Sequence, residues 1–210
     1  NYNNQIAAFH LMNRYCMLTN TVNMGFNSGY LPPASYAYCS KNYKRWLLLT
    51  FHVNWLTFAW SSLSAILTWS IPGEIARMFS SEEGYLYWAK PMLRNANALG
   101  FLVFARYSVG TMLKSLGCGI EAAILGTIVH LLAIIGFSLM LYYTDKKNTL
   151  RIMYAYPLSY AFGFVLVVAC MIPHIVRIYR LWKEQEKDKT EMNRAYLQNK
   201  LPSLQLLEGA

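Results

Sequence analysis

The chain has 210 residues, of which 55% are hydrophobic and only 14% charged, with 19 Lys and Arg against 10 Asp and Glu for a net charge of +9. A water-soluble domain draws roughly a quarter of its residues from the charged types, so this sequence lacks the charge that a soluble surface needs. The positive excess is not a nucleic-acid patch either, because no folded soluble domain is visible to carry one.

The elements follow from where charge is missing. A first helix is predicted over about 5–38, containing a charge-free run of 26 residues from Tyr15 to Ser40. A second, over about 44–72, holds 28 uncharged residues from Trp46 to Gly73. The third, about 86–117, is long and apolar but interrupted by Arg94, Arg106 and Lys114. The fourth, about 120–144, has 23 uncharged residues from Ala122 to Thr144, and the fifth, about 150–182, has 25 from Ile152 to Val176. A bilayer crossing needs about 20 such residues. The expected fold is therefore all-α, a polytopic transmembrane bundle of about five spanning helices. Prolines 32, 33, 72, 91, 157 and 173 read as boundary residues or kinks. Beyond about residue 183 the run "KEQEKDKTEMNRAYLQNK" is polar and of mixed sign. Two domains result, a helix bundle over 1–182 and a polar tail over 183–210.

The loops set an orientation. Five alternating helices place Lys41, Lys44, Arg45, Lys114 and the basic tail after Val176 on one side, and Arg77, Lys90, Lys146, Lys147 and Arg151 on the other. The heavier basic side is cytoplasmic, so the C-terminus is expected inside. The chain starts at Asn1 and turns apolar almost at once, which suggests a piece of something longer.

Every acid falls outside the spans. Neither a carboxylate pair for acid–base chemistry nor a membrane carboxylate for Na⁺ or H⁺ is available there, and no catalytic residues are expected. His10, His52, His130 and His174 are too scattered for a metal motif, the four cysteines show no CxxC spacing, and no cofactor or metal is expected. What remains in the spans is basic and amide. Arg106 sits near the middle of the third helix, where an arginine costs about 2.5–3.5 kcal/mol and should face a cavity or partner. On an unbroken helix Asn95, Leu99, Leu102, Gly110, Leu113 and Gly117 share its face. Asn13, Asn20 and Asn27 recur every seven residues along the first helix, flanked by Arg14 and Asn23. Such amides either line a polar pathway or tie helices together. His130, midway along the fourth helix, is a candidate proton carrier, with a neutral buried histidine as the plainer alternative.

Three stretches carry a family resemblance. "GFNSGYLPPASYAYCSKNYKR", from Gly25 to Arg45, resembles the loop signature of the multidrug and toxic-compound extrusion (MATE) transporters, with Cys39-Ser40 where Gly-Ala is usual and Ser28 where a glutamine is frequent. "SIPGEIARMFSSEEGYLYWAKPMLR" and "MLKSLGCGIEAAILGTIVH" resemble two further hairpins of that family, in the same order. The resemblance covers about residues 5–180. It implies most of the C-terminal six-helix lobe of a twelve-helix antiporter, the eighth through twelfth helices, with an N-terminal lobe as the missing partner. It implies export of organic small molecules from a lipid bilayer in exchange for H⁺ or Na⁺. Some members place a cation-binding acid in the tenth helix, where this sequence has Ala105 or Arg106. That departure suggests that coupling resides in the other lobe, or that Arg106 favours an anionic substrate. Asn13, Arg14, Asn20, Asn27, Asn95 and Arg106 are the expected substrate-binding residues. A lipid-linked oligosaccharide flippase of related fold and a non-transporting helical receptor are the alternatives, and an enzyme is not expected.

Overall fold

Inside a bilayer no water can satisfy a backbone N–H or C=O, so a spanning chain of this length resolves into helices. The computed structural model describes residues 2–144 and 152–208, and every regular element among them is helical. Helix α1 spans Tyr2–Cys39, α2 Tyr43–Ser70, α3 Pro72–Arg77 and α4 Glu83–Ala96. A 3₁₀ turn at Gly100–Leu102 leads into α5, Val103–Ser115, which is followed by α6, Gly119–Thr127. A π turn at Ile128–Leu132 joins α6 to α7, Ala133–Thr144, and α8 runs over Ala155–Glu208. At 1.5 Å per residue α1 is about 57 Å long, more than the ~30 Å hydrocarbon core.

The sequence that opens the family resemblance forms the tight turn between α1 and α2. The helix passes through Pro32 and Pro33 and ends at Cys39. Lys41 takes the left-handed conformation at φ 56°. The Asn42 N–H then donates to the Ala37 carbonyl at 2.8 Å, and the Lys41 N–H to that of Tyr38 at 3.0 Å. This is a Schellman ending, with lysine in the place usually held by glycine. Asn42 also caps α2, its side-chain oxygen accepting from the Arg45 N–H at 3.2 Å. The turn from α5 to α6 repeats the device with Gly117 at φ 83°, where Cys118 N–H reaches the Leu113 carbonyl at 3.0 Å.

Two stretches, Gly119–Thr144 and Ala155–Arg194, are long and apolar enough to cross a membrane by composition alone. Helix α2 is less apolar because it is built inside out. Its buried residues include Thr50, Thr57, Ser61, Ser64 and Thr68, while Phe51, Trp55, Leu63, Ile66 and Trp69 are exposed. Small hydroxyls within and large apolar side chains outside suit a helix surrounded by lipid. The protein is a polytopic helical membrane bundle.

The third predicted helix is not continuous. It stops at Ala96 because the buried Asn97 donates through both its backbone N–H (3.3 Å) and its side-chain amide (3.2 Å) to the Leu93 carbonyl. Side-chain competition of this kind favours turns over helix. Apolar packing is concentrated in two clusters. One joins the start of α1 (Ala8, Leu11, Met12) to α4 (Ala89, Met92, Leu93). The other joins the end of α1 and start of α2 (Ala34, Trp46) to α5 and α8 (Met112, Leu113, Met171).

Candidate functional site

Helix α1 has polar residues on two sides, and they meet different fates. Toward α2 they are paired. The Tyr15 hydroxyl donates to the Ser64 carbonyl at 3.0 Å, and Thr19 and Ser64 hydroxyls lie 2.8 Å apart. Asn23 Nδ2 donates to Ser61 Oγ at 3.0 Å, and the Tyr30 and Thr50 hydroxyls are 2.7 Å apart. The sequence separations shrink from 49 to 20 down this ladder, as antiparallel helices require. Helix α2 continues the pattern toward α5, where Trp46 Nε1 donates to Ser115 Oγ at 3.0 Å.

Toward α5 and α6 the same helix borders an open space. A cavity of about 760 Å³ is walled by Asn27, Ser28 and Leu31 of α1, by Arg106, Tyr107 and Lys114 of α5, and by residues of α6 and the π turn including His130. No Asp or Glu is among its lining residues. Arg106 Nε donates to His130 Nδ1 at 2.5 Å, so that ring nitrogen carries no proton in this arrangement. The guanidinium lies 6.0 Å from the Tyr107 ring centre and 5.9 Å from that of Tyr160 on α8, within cation–π range. The Tyr107 and His130 rings are 5.2 Å apart.

The π turn adds one residue to the helical register where His130 sits, a feature frequent at functional sites. It is held by a close approach of α8. A Cβ built on Gly163 would lie 2.7 Å from Val129 Cγ1. Only glycine lets α8 pack this tightly, and Tyr160 enters the cluster from the preceding turn.

Of the seven residues expected to form the site, Asn27, Arg106 and His130 line the cavity. Asn27 is buried, donates through Nδ2 to the Asn23 carbonyl at 2.8 Å, and leaves Oδ1 without a partner. Asn13 is exposed and Asn20 half-buried further along α1, and neither lines this cavity. Asn95 lies before the break at Asn97, so the face drawn through Arg106 does not extend back to it. Arg14 borders a second space of about 390 Å³ at the opposite end of α1, beside His10, Glu82 and Tyr85. Tyr107, Lys114 and Tyr160 were not singled out as site residues from sequence. Lys114 was legible, since it lies two turns beyond Arg106 on α5, whereas Tyr160 arrives only through the tertiary packing of α8.

The comparisons with known proteins agree with this architecture. The model of the MatE family matches residues 3–144, which include α1 through α7 and therefore all of the cavity except its α8 wall. The chain belongs to the MatE family. An inward-facing multidrug resistance MATE family transporter of the MOP superfamily has a similar fold, with a TM-score of 0.75 at 14% identity. The match covers 83% of this chain and 40% of that transporter, so the chain spans less than half of its length. No curated protein matches the sequence.

Proposed function

We propose that the chain forms the C-terminal lobe of a secondary antiporter that exports organic small molecules in exchange for H⁺ or Na⁺. The observation that carries this reading is the cavity of about 760 Å³ beside α5, lined by Arg106, Lys114 and His130 together with apolar residues of α1, α5 and α6. In a transporter of two repeats, such a half-site closes against a second lobe near the membrane midplane, and rocking of the two bundles alternates its access. The chain contains one wall, and the other lobe is the inferred partner. The cavity extends along α5 from Arg106 to Lys114, and the Lys114 end of α5 is the one that the positive-inside rule assigns to the cytoplasm along with the C-terminus. A cavity that reaches the cytoplasmic side is where an exporter would load its substrate. His130 lines the cavity and is the proton-carrier candidate there, with a neutral ring that serves only as an acceptor for Arg106 as the alternative. If Na⁺ couples transport, this cavity offers no carboxylate to bind it, and the ion site belongs to the other lobe.

The test is efflux of a fluorescent organic ion from liposomes containing the full-length protein, under an imposed pH gradient and then a Na⁺ gradient. Movement driven by either gradient is expected and names the coupling ion. Folded protein that moves nothing under both would overturn antiport in favour of a flippase or receptor.

A further inference from the structure

Resting on the antiporter reading above, we propose that the α1–α5–α6 cavity takes amphipathic organic anions, with the Arg106 guanidinium as their fixed counter-charge. A mid-membrane arginine needs compensation, and among the described residues Arg106 has no partner of opposite sign. Its hydrogen-bond partner is the neutral acceptor His130 Nδ1, and its other close neighbours are the rings of Tyr107 and Tyr160. A guanidinium presents five N–H donors in a planar fork suited to carboxylate. Only Nε is engaged, and the paired Nη groups have no hydrogen-bond partner among the described residues.

A second positive charge lies on the same wall. Lys114 lines the cavity two turns toward its mouth, about 12 Å along α5. An organic cation entering here would pass an ammonium and then meet a guanidinium, with no acid among the cavity's lining residues to offset either. An anion would be drawn inward by the first and held by the second. The remaining walls set the rest of the ligand: Met24, Leu31, Val109, Leu125 and Val129 are apolar, and Tyr107 favours an aromatic or planar body.

The experiment is equilibrium binding of two fluorescent probes to the purified full-length protein, read by anisotropy: carboxyfluorescein as the organic anion and rhodamine 6G as the organic cation. Carboxyfluorescein is expected to bind saturably. Arg106→Gln should weaken it by about tenfold or more, the loss typical of a charge-assisted contact, while Arg106→Lys should retain most of the affinity. Rhodamine 6G binding should be unchanged by either substitution. If Arg106→Gln does not fold, Lys114→Gln on the exposed mouth should weaken the anion selectively, and no change there would count against the proposal. Rhodamine 6G bound without carboxyfluorescein would overturn the anion assignment alone; a carboxylate supplied to Arg106 by the other lobe would give this result. Equal weakening of both probes would make Arg106 structural and also overturn it. Folded wild-type protein that binds neither probe would overturn both this inference and the antiporter reading.

Discussion

The two polar sides of α1 use the same residue types and differ in whether their side-chain donors cross to a neighbouring helix. Asn23 and Asn27 are one helical turn apart and both buried. Asn23 donates across to Ser61 on α2, inside a ladder in which Thr19, Ser64, Tyr30 and Thr50 are also paired. Asn27 turns its amide back on its own helix, in the wall of the cavity that also holds Arg106, and the Oδ1 atoms of both residues are buried without a partner among the described residues. In a membrane, where apolar surface does not distinguish core from exterior, polar residues carry both assembly and function. Whether the side-chain donor reaches a neighbouring helix separates the two roles.

Four substitutions would break or sharpen this contrast. The largest effect on folding is expected at the packed end: Trp46→Ala empties a fully buried indole site and removes the bond to Ser115, costing about 3–5 kcal/mol. Unfolding in mixed micelles would show it, and a loss under 1 kcal/mol would mean that this cluster does not hold α2 to α5. Next comes Gly163→Ala. Its Cβ must displace Val129, and overpacking of this kind costs about 1–3 kcal/mol. It should shift the π turn and reduce transport beyond what the loss of stability explains; unchanged transport would disconnect the π turn from the site. Asn23→Ala removes one interhelical bond and leaves Ser61 unpaired, an expected loss of about 0.6–1.7 kcal/mol. Asn27→Ala is the smallest in stability, within about 0.5 kcal/mol, because its one donor bond is intrahelical and its acceptor is unused. Reversal of the Asn23 and Asn27 rankings would end the distinction.

Much of this fold was legible from charge alone. The uncharged runs locate α1, α2, the α6–α7 rod and α8 because burying a charge in lipid is costly enough to dominate the sequence. The breaks were not legible. Ending α4 at Ala96 depends on Asn97 competing for the Leu93 carbonyl, and the π turn at Ile128–Leu132 depends on α8 passing Val129 at Gly163. Neither leaves a mark in hydropathy. The site was legible where one helix carried it, as with Arg106 and Gly110 on α5. His130 was singled out from its place in the fourth helix, but its contact with Arg106 and the arrival of Tyr160 were not legible, because they depend on separate elements converging. The seven-residue spacing of Asn13, Asn20 and Asn27 ranked those amides together, whereas burial picks out the four-residue pair Asn23 and Asn27. The intervening Asn23 belongs to the α2 seam, and a helical face computed from one chain segment does not show which neighbour covers it.

The most direct measurement compares gradient-driven probe flux for Arg106→Gln and Asn23→Ala in the full-length protein, with matched amounts of folded material in the liposomes. Flux lost in Arg106→Gln but kept in Asn23→Ala is the expected result, one position serving the cavity and the other the seam. Flux preserved in Arg106→Gln, or lost in a well-folded Asn23→Ala, would contradict the division.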